Sequence, residues 1–501
     1  MNAVPNQHRK LIYPAIIVVI FGAMYPYSNW LNRVKSEKDL GEAAIGQVDT
    51  GSFMLKLALL GGARGVAANV LWTRTEELKR EQDWDRLKAT VDLITKLQPH
   101  FLSVWTFQGW NLAYNVSVEW DAPEDKYEWI KKGIIFLKDG VQKNQQSPDL
   151  MWDTAWTYYH KYGYSDEAVI LRRLFLDDED DEFKSYYDPE EKRVVIRHDN
   201  FQLGYGWFVN AIDLVDHGRA RVVEGTRDVI YVDPSPQRKG RPDDLAFRSM
   251  PAHAQTRYAS AIEKASIMGV RARFGKFASE EWRKALDDWV KFGRHEFKTH
   301  NEVEVNGKMV KFPVFIDDVS YPAKMKTFHP NQAYWTNRWA DQMNYRYWKD
   351  RAATEMTDPA VQARQLFYEG TIAYRTADFA KAVENYKLGL DKWKAILDEH
   401  PDYRNDTYNQ RDTGLIVKRY VRALKQLGED VPKSYPFMEL LRRAEADNTV
   451  DPFDANEMMD VTPAESAGPT AGGAPGMPAG ATPLPSGPTP APGGASPAPA
   501  K

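Results

Sequence analysis

The sequence predicts a mainly α fold, a solenoid of stacked helical hairpins, and three observations lead there. Apolar residues through the body recur with helical spacing. Two stretches, 147–169 and 365–393, set large aromatic and small residues at the offsets of two helices packed face to face. Sixteen tryptophans and 12% aromatic residues supply the wide side chains that fill gaps between such helices. At 501 residues, 43% of them hydrophobic, the chain can bury several ordinary cores or one long array.

After a short flank, 1–10, the segment LIYPAIIVVIFGAMYPYSNWL (11–31) carries no charge. About 20 such residues span the roughly 30 Å hydrocarbon core of a bilayer. Tyr25, Tyr27 and Trp30 gather at its far end, where amphipathic rings favour the interface. A cleaved signal peptide is the rival reading, but Phe21 and Pro26 stand where a cleavage site needs small residues. An uncleaved single-pass anchor is therefore expected. Arg9 and Lys10 on one side nearly balance Arg33, Lys35 and Lys38 on the other, and the short N-terminal flank then places the body outside.

Residues 50–182 read as helical hairpins. One occupies 71–99 and closes on Pro99; WTFQGWNLAYN follows, with Trp105 and Gly109 at the packing offsets of the next and Asn111 and Asn115 on a shared face. Ser147 and Pro148 open a further helix as N-cap and first-turn residue. Trp152, Tyr159, Gly163 and Ala168 then take the large, large, turn and small positions. Residues 183–250 are turn-rich, with YYDPEEKR, DPSPQRKGRPDD and the strand-like pieces VVI and VIYV, and read as an irregular insert. A looser helical hairpin runs from Pro251 over 251–300, with Glu280 and Glu281 in the first turn of its second helix, favourable at the positive helix end. Residues 301–345 read as a β-hairpin and loop insert, the alternation in VEVNGKMVKFPVF turning at Asn306-Gly307. Residues 346–450 hold the clearest hairpin: Gly370 marks close helix approach, Ala382 and Gly389 are small, and Tyr386 fills the gap. Pro401 comes late, so the second helix is expected to be extended by about two turns. The segment 461–501 is rich in Pro, Ala and Gly, cannot bury enough area to order, and reads as a disordered tail.

These offsets resemble the tetratricopeptide repeat, a hairpin of about 34 residues. More widely, GGARGVAANVLWTRTEELK, ITKLQPHF, VWTFQGWNLAYN and NYRYWKDR look like an uncharacterised family of membrane-anchored tetratricopeptide-repeat (TPR-like) proteins of bacteria, planctomycetes especially. The resemblance covers most of 50–400 and implies a helical repeat body on a membrane; with the flank reading above, the expected location is the bacterial cytoplasmic membrane with the body on the periplasmic side. It carries over no catalytic residues.

Motifs for chemistry are thin. With 66 basic and 70 acidic residues the net charge is −4, which leaves no footprint for nucleic acid. The absence of cysteine removes thiolate nucleophiles, iron–sulfur clusters and Cys-based zinc sites. HEFKTH (295–300) misses the zinc-protease spacing, because His295 and His300 are five apart, about 140° round a helix. The run DDEDDE (177–182) has Glu182 where a calcium loop needs glycine and reads as a solvated acidic loop. Phosphate-cradling and G-x-S-x-G motifs are missing, and His160, His217, His253 and His329 lack spaced partners. No enzyme, metal or cofactor is expected.

The leading expectation is a non-enzymatic scaffold binding a protein or peptide partner on the concave face of the array. The repeat offsets put Trp110, Tyr114, His160, Lys161, Arg364, Tyr374 and Arg375 on that inner face, and aromatic residues with Arg dominate interfaces. The alternative is a ligand- or saccharide-binding, or hydrolytic, envelope protein with an aromatic-lined pocket.

Overall fold

A computed structural model describes residues 64–441 apart from 82, 146, 166, 189–190, 218, 223–228, 233–243, 264–272, 299–301, 306–307, 433–434 and 436. The expected anchor at 11–31 and tail at 461–501 lie outside the described residues. Among the described residues no helix is long and apolar enough to cross a membrane.

The described body is mainly helical. Helices α1 (Arg64–Arg80) and α2 (Trp84–Leu97) form the first pair, with Asp83 accepting from the Arg86 amide to cap α2. Next come α3 (Leu102–Trp110), which runs on through a π-helical turn (Asn111–Val116), and α4 (Pro123–Lys143). Helix α5 (Pro148–Tyr164) starts as its sequence dictates, Pro148 in the first turn and the Ser147 hydroxyl accepting from the Leu150 amide at 3.3 Å; α6 (Ala168–Asp177) follows.

The region 183–250 is not wholly irregular. It begins with an antiparallel pair, β1 (Ser185–Asp188) and β2 (Arg193–Ile196), and continues into a long helix, α7 (Asn200–His217). Gly204 and Gly206 within it serve packing. A Cβ on Gly204 would meet the Ala155 carbonyl of α5 at 3.3 Å, and Gly206 lies against the Tyr186 ring. Asp199 caps α7 by accepting from the Phe201 amide at 2.8 Å. Strands β3 (Arg219–Val222) and β4 (Val229–Val232) pair antiparallel after it.

Helix α8 (Leu245–Glu263) starts six residues before Pro251, which lies inside it, because Asp244 accepts from the Phe247 amide and sets an earlier cap. It is followed by α9 (Lys276–Gly293) and by β5 (Glu302–Val305) and β6 (Lys308–Lys311), whose register pairs Val305 with Lys308. The 301–345 insert also holds α10 (Pro322–Met325) and a thirteen-residue helix, α11 (Pro330–Gln342). Pro330 and the His329 imidazole, which accepts from the Asn331 amide, start α11. Then come α12 (Tyr345–Glu355), α13 (Asp358–Arg375), α14 (Phe379–Glu399), α15 (Pro401–Asn405) and α16 (Thr407–Leu427).

Helices α13 and α14 pack as the sequence reads them. Tyr386 is fully buried against Gly370, where a Cβ would sit 2.9 Å from its ring, and its hydroxyl pairs with Thr371 Oγ1 at 3.0 Å. Helix α14 runs 21 residues and ends just before His400 and Pro401.

Two large cores result. One gathers Trp105, Tyr127, Ile134, Tyr158, Phe175 and Phe208 from α3 to α7; the other gathers Trp282, Trp289, Trp348, Phe367 and Trp393 from α9 to α14. Helix α8 belongs to both, giving Met250, Ala254 and Ala261 to the first and Ala252 and Ala259 to the second. Each fully buried aromatic contributes about 1.5–3 kcal/mol, so either core is a substantial stabilising unit.

Candidate functional site

Along α5 the sequence WDTAWTYYHKYGY sets rings at steps of four: Trp152, Trp156, His160 and Tyr164. Four residues are slightly more than one helical turn, so these rings lie above one another along one slowly winding face. The structure stacks them in series. Trp152 and Trp156 are 5.4 Å apart at 6°, Trp156 and His160 5.0 Å at 16°, and His160 and Tyr164 6.2 Å at 12°.

A second, shorter row comes from α3 and its π-helical turn, where Trp110 stacks on Tyr114 at 5.9 Å and 15°. Turns of this kind insert a residue and re-aim side chains, and they recur at functional sites. The two rows meet where Tyr114 Oη lies 3.2 Å from His160 Nδ1. Lys161 Nζ sits 4.8 Å over the Tyr114 ring, a cation on a π face. At the other end the Arg257 guanidinium of α8 lies 4.6 Å over Tyr164. Thr106 Oγ1 donates to Asp153 Oδ2 at 3.1 Å and fixes α3 against α5.

The seam is open at its ends. Trp110 is 47% and Tyr164 38% exposed, while Tyr114, Trp152, Trp156 and His160 are half-buried between them. Burial, with a smaller push from Lys161, lowers His160 to about 4, so its imidazole is neutral near pH 7 and shares one proton with Tyr114. Burial raises the Tyr114 phenol well above its ordinary value. The seam therefore presents a row of uncharged π faces, backed by cations over Tyr114 and Tyr164.

The structure divides the residues expected on the inner face. Trp110, Tyr114, His160 and Lys161 come together, although Lys161 is buried rather than exposed. Arg364, Tyr374 and Arg375 lie on α13, which packs on the other core. Arg364 is corrected from an inner-face cation to a buried structural one. Its Nε and Nη2 donate to Glu355 at 3.0 and 2.5 Å, and its guanidinium covers Trp393 at 4.2 Å. Tyr374 packs edge-on against Phe379 at 5.4 Å, and Arg375 is half-buried in the last turn of α13. Trp156, Tyr164 and Arg257 are site residues that the repeat offsets do not reveal; the four-residue ring spacing in α5 is the signal for the first two.

Other sequence readings also change. Asn115 donates to Asn111 Oδ1 at 2.9 Å, so the two amides satisfy each other in part. Within the acidic run, Asp178 and Asp180 are not simply solvated: Lys131 Nζ bridges them at 2.8 and 3.0 Å, and Tyr127 donates to Asp178 at 2.5 Å. Among the described residues no cluster of His and acidic side chains is arranged to hold a metal.

Two carboxylates of opposite environment do meet in the second core. Burial, reinforced by Glu355, raises Glu263, which accepts from Trp282 Nε1 at 3.0 Å. Burial also opposes ionisation of Glu355, but the charge and hydrogen bonds of Arg364 outweigh it and hold that carboxyl below its ordinary value. Split acids of this kind suit acid–base chemistry only where substrate reaches them. These are 7% and 1% exposed, sealed beneath Trp282 and Tyr403. No protein-family model matches this chain, and no curated protein or solved structure does either.

Proposed function

We infer that the protein is a non-enzymatic, TPR-like scaffold, anchored in a bacterial membrane through 11–31, that docks a protein or peptide on the α3–α5 seam. One observation carries the reading: a continuous, half-exposed row of rings in contact from Trp110 through Tyr114, His160 and Trp156 to Trp152, stacked except at the tilted Tyr114–His160 step. Aromatic surface of this kind is what binding hot spots are made of, since rings supply large contact area at little entropic cost. The mainly helical, pairwise-packed body supports the repeat reading, and the membrane location rests on the uncharged segment 11–31.

The test is site-specific photo-crosslinking in native membranes, with a photoreactive phenylalanine in place of Trp110 and, as control, of Leu388 on the outer surface of α14. A discrete protein adduct from position 110 alone, abolished by Trp156→Ala, is expected. Adducts at neither position, or equally at both, would remove the seam as a docking site.

A further inference from the structure

A second concavity lies on a different part of the fold, a cleft of about 250 Å³ between the end of α4, the start of α5, the β1–β2 hairpin and α7. Its walls are largely aromatic and aliphatic: Trp207 and Leu214 from α7, Tyr186 and Tyr187 from β1, and Met151 from α5. Among these walls stand polar groups of one kind, neutral donors and acceptors. Tyr187 Oη, Trp207 Nε1 and Asn210 Oδ1 are all shielded from solvent and have no hydrogen-bond partner within the protein. Buried polar groups are ordinarily paired with protein or water, so these three are open to a partner from outside the chain. Trp207 is itself 7% exposed.

The charged groups of the cleft are already engaged. Asp213 Oδ1 is 2.7 Å from His217 Nδ1. Lys138 Nζ donates to the carbonyls of Glu182, Phe183 and Ser185, the last two at 3.1 and 3.2 Å. Burial lowers Lys138 to about 8, yet a nitrogen aimed at three acceptors keeps its proton, so it acts as a fixed tether for the hairpin rather than a base. Lys138 is thus spent on the hairpin backbone, and one Asp213 oxygen is held by His217.

The geometry points to this cleft as a binding site for a single neutral sugar ring. The C–H faces of a pyranose match the Trp207 and Tyr186 surfaces, and its hydroxyls match an indole N–H, a phenol and an amide oxygen. The volume equals about eight waters at roughly 30 Å³ each, room for one ring of about a dozen heavy atoms. Asn210 is held at the cleft by its Nδ2, which donates to the Tyr187 carbonyl at 2.5 Å and leaves Oδ1 as its open acceptor. This site is independent of the α3–α5 seam: the two share only α5, at different residues.

Ligand-observed NMR titration of the full chain tests it, using glucose and N-acetylglucosamine, with glycine and sodium sulfate as controls. One of the sugars is expected to bind with a Kd near ~1 mM, the strength that about a dozen heavy atoms supply at ordinary efficiency. Tyr187→Phe deletes only an oxygen that the protein does not use. It should leave the urea midpoint unchanged while weakening sugar binding by about fivefold or more, the loss expected for one hydrogen bond. Trp207→Phe should weaken binding similarly, and Trp110→Ala should not change it. Absence of sugar binding below ~20 mM, equal binding of glycine or sulfate, or full affinity in Tyr187→Phe would each overturn the assignment.

Discussion

Replacing Arg364 with Met separates a buried ion pair from an exposed recognition arginine. Met keeps an apolar stem over Trp393 and deletes the charge that Glu355 answers. Glu355 is 1% exposed and the Arg364 side chain 12%, so water cannot take over. Stranding one member of a buried pair costs about 3–5 kcal/mol. Tyr403, whose hydroxyl stays 2.8 Å from Glu355 Oε1, and the Arg351 charge keep the loss near the lower end, about 3 kcal/mol. The pH dependence gives the sign. In the native pair the Glu355 carboxyl lies below its unfolded value, so the stability it contributes is present above that unfolded value and fades as the pH falls. Without Arg364, burial dominates and the carboxyl titrates above its unfolded value, so the deficit is largest at high pH and shrinks as the carboxyl is protonated. Urea unfolding followed by tryptophan fluorescence at about pH 8 and about pH 5 reads both effects. The double variant Glu355→Gln/Arg364→Met should be no worse than the single one. A loss under about 1 kcal/mol with no pH dependence is the signature of a surface arginine and would refute the burial argument.

Gly133→Ala should destabilise by about 1–3 kcal/mol in the same assay, because its new Cβ would sit 2.8 Å from the Gly109 carbonyl, a backbone atom that cannot retreat; an unchanged midpoint would mean that α3 and α4 are farther apart. His160, lowered to about 4, refuses a proton that the unfolded chain accepts near its ordinary 6.5. Its contribution is therefore fully present above about pH 6.5 and lost by about pH 4, roughly 3 kcal/mol in all, and His160→Gln should flatten that part of the stability–pH curve; parallel curves for the two proteins would contradict it. Trp156→Ala, removing a half-buried ring from the middle of the ladder, should cost about 2 kcal/mol, whereas Trp110→Ala at the exposed end should cost less than about 1 kcal/mol; thermal unfolding distinguishes them, and equal losses would argue against the stacked order.

What could be read from sequence was local. Ser147-Pro148 announces a helix start because a cap and its helix are neighbours in the chain, and Gly370 with Tyr386 announces a hairpin because their separation is fixed by helix geometry. Trp110, Tyr114, His160 and Lys161 were reachable by the same offsets and do assemble. Arg364 was misread because its partners, Glu355 and Tyr403, lie outside the repeat unit, and nothing in the spacing of α13 says that a carboxylate waits beneath it. Helix α7 was missed because the turn-rich YYDPEEKR and DPSPQRKGRPDD on either side of it set the reading of the whole region 183–250. The cleft was beyond reach because residues from 138 to 214, on four elements, meet there only through packing.

The double membership of α8 bears on how the molecule comes apart. Stacked repeats that touch only their neighbours melt piecemeal, each interface breaking on its own. A helix whose small residues seat against both cores ties their fates together, since neither can open without exposing the other's floor. Unfolding of the two large cores should then be one cooperative event, with the backbone amides of α8 among the last to exchange with solvent.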